Sequence, residues 1–230
     1  MFPRRVKLQS LRHVGSLSGA YFEVSTPVAN ALTIDSVRLA LGAARATADP
    51  DLEVQRFAAV ALVLLEHSEG LHLLLIQRTA RADDPWSGHV AFPGGRHEPG
   101  DASLLATATR ETFEEVGLDL ATGATYVGTL PDIVAMAQGR RLDLSIRPFV
   151  FHLTRSAALV PDPREVADAF WVDLAWLASG QADTTYRYQP QVKVSGHSRM
   201  AYQLPAYQVE GRVVWGLTYR MLSTFLQRLQ

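Results

Sequence analysis

The stretch Arg110-Glu111-Thr112-Phe113-Glu114-Glu115-Val116-Gly117 concentrates the groups best suited to chemistry. In a helix Glu111, Glu114 and Glu115 stand at i, i+3 and i+4, so three carboxylates share one face with Cβ atoms about 5–6 Å apart. Left alone, they repel. From Glu98 to Asp119 six acidic residues accompany one basic residue, a local net charge of −5 in a chain whose overall charge is −1. Hard divalent cations such as Mg²⁺ and Mn²⁺ take oxygen ligands, keep several waters and bridge carboxylates to substrate phosphates. The competing reading is a solvated acidic face, where each like-charge pair costs only about a few tenths of a kcal/mol. The location argues for the cation: the cluster lies near the C-terminal end of its helix, where the macrodipole disfavours negative charge. Arg110, beside Glu111 and four residues before Glu114, suits a surface ion pair or a clamp that holds a carboxylate in one rotamer.

These groups need a helix, and one is predicted over Ala102 to Val116, with Asp101 as its N-cap and Gly117 as a left-handed stop. Just upstream, Phe92-Pro93-Gly94-Gly95 ends a short strand around His89 to Phe92, its glycines suited to a tight turn close to a ligand or ion. Phe57 to Leu65 and Leu71 to Gln77 read as a buried hairpin around His67-Ser68-Glu69-Gly70, followed by a surface loop from Thr79 to Ser87. Further strands are predicted at Thr125 to Leu130, Leu142 to Leu153, Val166 to Val172 and Arg212 to Trp215. Pro148 should place the second of these at a bend or an edge. A short helix follows at Leu174 to Ala178. In the closing helix Leu217, Met221, Leu222, Phe225, Leu226 and Leu229 form one apolar stripe, read as core packing. Strands interleaved with a few helices, without regular alternation, predict an α+β sandwich. Residues 1–50 read as an N-terminal extension with a helix from Asp35 to Ala46 capped by Thr33, and residues 51–230 as the main domain.

Composition closes other routes. With no cysteine there is no disulfide framework, thiolate nucleophile or Cys-based metal site, so any metal must sit on oxygen or nitrogen. Charge balance, 22 basic against 23 acidic residues, removes bulk attraction to nucleic acid or to an anionic membrane, and neither is an expected partner. The longest apolar run, Phe57 to Leu65, is far short of the roughly 20 residues that span a bilayer. Met1-Phe2-Pro3-Arg4-Arg5 opens no secretory signal, and a cytoplasmic address is the expectation.

In the order Phe92-Pro93-Gly94-Gly95, Asp101, Arg110-Glu111-x-x-Glu114-Glu115-x-Gly117, the sequence resembles the Nudix hydrolases. Gly95, Asp101, Arg110, Glu111, Glu114, Glu115, Gly117 and Leu118 follow the order of the family signature. Three departures are visible: Asp101 replaces the usual glutamate, the gap to Arg110 is one residue longer, and Thr112 stands where an aliphatic is usual. The first two are similar to the coenzyme A pyrophosphatase branch. So are Leu74-Leu75, Gln77-Arg78-Thr79, Gly88, Leu204-Pro205-Ala206-Tyr207 and Val214-Trp215-Gly216-Leu217-Thr218. The branch's second upstream arginine has no match, because Arg81 comes too early and Asp83 and Asp84 stand nearby.

That resemblance implies a Nudix-type α/β/α sandwich with a mixed sheet, working as a pyrophosphatase on a small-molecule diphosphate substrate. Mg²⁺ or Mn²⁺ would be held by Glu111, Glu114 and Glu115, with the Gly95 carbonyl as a further ligand. Glu111 is the first candidate to orient or deprotonate a water and Glu165 the second, with Arg110 and Glu114 in the same catalytic set. Arg78 and Trp86 are candidate substrate contacts, by phosphate pairing and adenine stacking; the plainer alternatives are an ion pair and a packing anchor. Coenzyme A or an acyl derivative is the first substrate expected. ADP-ribose, other nucleoside diphosphate derivatives and damaged nucleoside triphosphates are rivals, and a non-catalytic nucleotide-binding module is the alternative of another class. The resemblance also allows a homodimer.

Overall fold

Apolar, β-branched runs supply most of the strands. The computed structural model describes residues 32–42, 55–81, 86–137, 140–153, 155–189, 193–194, 197–198 and 201–230. Asp83, Asp84, the end of the helix expected to reach Ala46 and most of the expected extension lie outside them. Phe57–His67 (β1) and Gly70–Arg78 (β2) form the expected hairpin, with Leu64 opposite Leu73 and His67 opposite Gly70. Toward its open end the hairpin splays, and the Phe-Pro-Gly-Gly segment wedges in. Val90–Ala91 (β3) pairs with β2, while Gly94–Arg96 (β4) pairs with β1, Gly95 opposite Ala59. The glycines therefore do not simply end a strand; they start a second one on the other side of the wedge.

Ala124–Thr129 (β5), Ile133–Ala137 (β6) and Arg140–Leu153 (β7) follow, and β7 runs parallel to β1 over nine residue pairs. Val166–Asp173 (β8) pairs with β2, completing a mixed sheet. Of the two places Pro148 suggested, a bend or an edge, the edge is excluded, because β7 is central: β1 lies on one side, and β5 and β6 share the other. Proline is tolerated because Pro148 falls where β5 has ended and β6 has not begun. Its carbonyl accepts the Leu130 N–H at 3.0 Å from that side, so its missing donor faces the break between two strands.

Alternation along the strands divides the core in two. Ala59, Ala61 and Val63 join Ala108 and Val116 of helix Leu104–Val116 (α2) and Leu120 of Leu120–Gly123 (α3) on one sheet face. Ala58, Leu62 and Leu64 join Ile34–Gly42 (α1), Leu174–Ala178 (α4) and Gly216–Arg228 (α5) on the other. The result is the expected helix–sheet–helix sandwich. α1 falls within residues 1–50, yet its Ile34, Val37 and Leu41 are core residues. Its cap is as expected, with Thr33 Oγ1 accepting the Ser36 N–H at 3.2 Å.

In α5 the stripe is buried at Met221, Leu222, Phe225 and Leu226, each worth about 1.5–3 kcal/mol when removed from water. Strands the sequence reading did not assign complete the described chain: Asp183–Tyr188 (β9), Lys193–Val194 (β10), His197–Ser198 (β11) and Tyr202–Val209 (β12). With Arg212–Val214 (β13), β12 and β9 make a separate three-stranded sheet. No helix among the described residues is long and apolar enough to cross a membrane.

Candidate functional site

Two glycines bring α2 down onto the sheet. Gly94 has a φ of 149°, and a Cβ there would strike the Ala59 carbonyl oxygen and Val60 Cα. A Cβ on Gly95 would strike the Glu111 carboxylate, which therefore rests directly on the backbone of β4. The Gly94 N–H donates to Glu115 Oε2 at 2.8 Å.

The helix begins later than expected. Ser103 is the N-cap, its Oγ accepting the Ala106 N–H at 3.1 Å. Asp101 is otherwise engaged: it accepts Arg110 Nε at 2.9 Å and Nη2 at 3.0 Å, the Thr107 hydroxyl at 2.8 Å and the Glu98 N–H at 3.0 Å. The Arg110 bonds above all hold the Asp101 carboxyl well below the usual carboxylate range, and Asp101 in turn raises Arg110 above its ordinary value. Arg110 Nη2 also donates to the Arg96 carbonyl at 3.2 Å, so this one side chain ties α2 to the preceding loop. Its Nη1 is shared between Glu111 Oε1 at 3.0 Å and Glu114 Oε2 at 3.1 Å. The helix stops as expected, with Gly117 at φ 72° donating its N–H to the Phe113 carbonyl. Thr112, where an aliphatic was expected, is buried with its hydroxyl bonded to the Ala108 carbonyl at 2.7 Å.

The three glutamates are graded from core to solvent. Glu115 is 1% exposed, the Glu111 side chain 14% and the Glu114 side chain 56%. Burial pushes the Glu115 carboxyl up to about 8; the Gly94 hydrogen bond and Arg78, whose Nη1 lies 3.8 Å from Glu115 Oε1, only partly offset it. Burial also raises Glu111, against the pull of Arg110. The charge of Glu165 raises both of these carboxyls further. Glu165 sits in an exposed turn, its N–H on the Asp162 carbonyl at 2.9 Å and its own carbonyl accepting the Thr79 N–H at 2.9 Å.

Of the expected site residues, Gly95, Arg110, Glu111, Glu114, Glu115 and Arg78 are thus contiguous, with Glu165 close enough for its charge to be felt. Trp86 is placed elsewhere: it packs against the apolar cluster on the sheet face opposite the glutamates. Thr107 was missed, although its spacing, six residues after Asp101 and three before Arg110, puts it on the face that meets both. The carboxylates turn toward Arg110, Arg78 and the Gly94 amide rather than to one point. Among the described residues no three acidic or histidine side chains form a closed ion cage. The donor chemistry nevertheless fits a hard divalent cation: every donor is oxygen, Glu111 lies against the bare Gly95 backbone, and buried negative charge is left under-compensated.

A family profile for the NUDIX domain matches residues 55–191. An uncharacterised protein of Schizosaccharomyces pombe is 41% identical over 115 residues, 49% of this chain and 35% of its own. A probable nudix hydrolase of the same yeast is 29% identical over 78% of this chain and 58% of its own, so the chain spans only part of both yeast relatives. Mitochondrial coenzyme A diphosphatase NUDT8 of Mus musculus is 32% identical over 70% of this chain and 72% of its own. Because the profile takes in well over half of the sequence and runs through the glycine wedge and α2, the chain belongs to the Nudix family.

Proposed function

We propose that the chain is a divalent-metal-dependent pyrophosphatase acting on a nucleoside diphosphate linked to another group, with coenzyme A or acyl-coenzyme A as substrate. The products would be 3′,5′-ADP and 4′-phosphopantetheine. The observation that carries the reading is the buried Glu115 on the Gly94 amide beside Glu111 on bare Gly95. A carboxylate kept in the core, at a cost in burial, fits a role in holding charge rather than in packing. The substrate assignment is supported by the mouse relative and by the branch residues from Leu74 to Gly95 and from Leu204 to Thr218.

Glu111, Glu114, Glu115 and the Gly95 carbonyl are the groups that would hold Mg²⁺ or Mn²⁺. Bound there, a divalent ion neutralises the diphosphate and lowers the pKa of a coordinated water. The chain's own residues do the positioning. Arg110, locked by Asp101, fixes the rotamers of Glu111 and Glu114, while Arg78 and the Gly94 amide fix Glu115. Glu111 takes the proton of the attacking water; burial, which raises its carboxyl against the pull of Arg110, makes it a stronger base than an exposed glutamate. Glu165 is the second candidate, at the exposed rim. Attack on phosphorus needs alignment and charge stabilisation, and no protein nucleophile.

The test is a panel of coenzyme A, acetyl-coenzyme A, ADP-ribose and nucleoside triphosphates, followed by phosphorus NMR with and without Mg²⁺ or Mn²⁺. Coenzyme A should give 3′,5′-ADP only when the cation is present. Turnover confined to ADP-ribose or triphosphates would overturn the substrate, and absence of any product would overturn the activity.

A further inference from the structure

A row of residues crosses the sheet beside the glutamates. Gly95 of β4 lies opposite Ala59 of β1, and Ala59 lies opposite Arg147 of β7. Opposed residues leave a sheet on the same face, and Glu111 rests on Gly95, so Arg147 rises on the α2 face as well. Two strand spacings put its Cα about 10 Å from Gly95. Phe149, two residues on, belongs to the apolar cluster of that face, which confirms the direction.

Arg147 is held in place. Asp132, just before β6, accepts Arg147 Nε at 2.7 Å and Nη2 at 2.8 Å. This fork fixes the guanidinium plane, and no described residue accepts a hydrogen bond from Nη1. The Asp132 side chain is 8% exposed but that of Arg147 is 33%, so the acid lies beneath and the cation faces outward. Beside it stands Tyr126, 47% exposed, its ring centroid 6.2 Å from those of Phe149 and Phe151. α2 covers chiefly β1 and β4, and α3 meets β5 and β7. α3 leads directly into the Ala124 end of β5, which pairs with Leu153 of β7, the end remote from Arg147. A fixed guanidinium and an open ring thus share an exposed strip of sheet next to the glutamates.

We propose that Arg147, positioned by Asp132, binds an anionic group that the substrate carries outside its scissile diphosphate: a phosphate on the ribose 3′ oxygen. Resting on the hydrolase reading above, the proposal adds a specificity residue to it. Asp132, just before β6, draws the guanidinium to the side of β7 away from β1, so the cation suits a second phosphate across the ribose ring rather than a diphosphate gripped at Glu111 and Glu115. Planar N–H donors in a fixed fork match phosphate oxygens, and a Lys point charge would match them less well.

Titration calorimetry of the full chain in magnesium buffer, with 3′,5′-ADP and 5′-AMP as probes, tests this. The parent should bind 3′,5′-ADP about tenfold or more tightly than 5′-AMP. Arg147→Gln should lose that preference with 5′-AMP affinity unchanged, Arg147→Lys should regain part of it, and Asp132→Asn should weaken it. Circular dichroism identifies any variant that fails to fold, in which case the Lys and Asn variants carry the comparison. Equal binding of the two probes by the parent, or an undiminished preference in Arg147→Gln, overturns the proposal. A preference that depends on Arg147, without turnover of coenzyme A or its dephospho form, upholds the anion site and sinks the substrate reading. Turnover of both forms with KM values indifferent to Arg147 does the reverse.

Discussion

Gly94 donates its backbone N–H to the carboxylate of Glu115 at 2.8 Å, pairing a strand residue that has no side chain with a helix carboxylate that is 1% exposed. A larger residue at 94 would strike the Ala59 and Val60 backbone and push the wedge off β1, and a shorter acid at 115 would not reach. Carboxylate and wedge are therefore one device, built where β1 and β2 splay apart.

The first prediction concerns pH. In the folded chain Glu115 is raised to about 8 from an ordinary value of 4.5, so between these values the native state binds a proton that the unfolded state has lost. Stability must then fall as pH rises through that window, by up to about 5 kcal/mol from this group. Glu115→Gln has no such proton. Urea unfolding in EDTA at about pH 5 and about pH 8 should show the variant gaining on the parent as pH rises. Parallel curves would refute it.

Depth should separate the glutamates in stability but not in turnover. If the proposed cation site is right, Glu114→Gln and Glu115→Gln should each lower kcat by about a hundredfold or more, since both remove charge assigned to holding the cation. Only the Glu115 change should move the melting temperature, and upward near pH 8, because Glu114 is mostly exposed. Full activity in either variant would contradict its assignment.

What the sequence disclosed was chiefly local. The glutamate spacing and the left-handed Gly117 are properties of one helix, and both are found in α2. Asp101 is an ordinary capping residue by local rules, but Arg110, nine residues on, takes both its oxygens. Pro148 suggested a bend or an edge because its neighbours were unknown; the break between β5 and β6 makes it tolerable in a central strand. β9 and β12 went unassigned because their pairing, Asp183 opposite Tyr207, joins distant segments and Pro205 interrupts the pattern. The Asp132–Arg147 pair has no signature at all until the registers of β4, β1 and β7 are known.

Asp101→Asn should release Arg110 from its fork. The Asp101 carboxyl is depressed when folded, so its contribution is present above the ordinary carboxylate range and is lost as pH falls. The gap in melting temperature between parent and variant should be widest near neutral pH and close in acid. Turnover should drop at neutral pH as well, because an unanchored Arg110 no longer fixes Glu111 and Glu114. A constant gap from neutral to acid pH would rule out the ion pair as its source.

The adjacent glycines should fail in opposite ways. Alanine at 94 meets backbone atoms of Ala59 and Val60 at a φ of 149°, and neither neighbour can swing aside. Gly94→Ala should therefore destabilise the fold by about 2 kcal/mol or more. Alanine at 95 meets only the far end of the Glu111 side chain, which can rotate away at small cost in stability but leaves the site. Gly95→Ala should keep most of the melting temperature and lose turnover. If Gly95 acts only by seating Glu111, its effect must vanish once that carboxylate is gone. The double variant Gly95→Ala with Glu111→Ala should then be no slower than Glu111→Ala alone. Additive losses would mean that the Gly95 backbone has a further role, as its carbonyl would if it were itself a cation ligand.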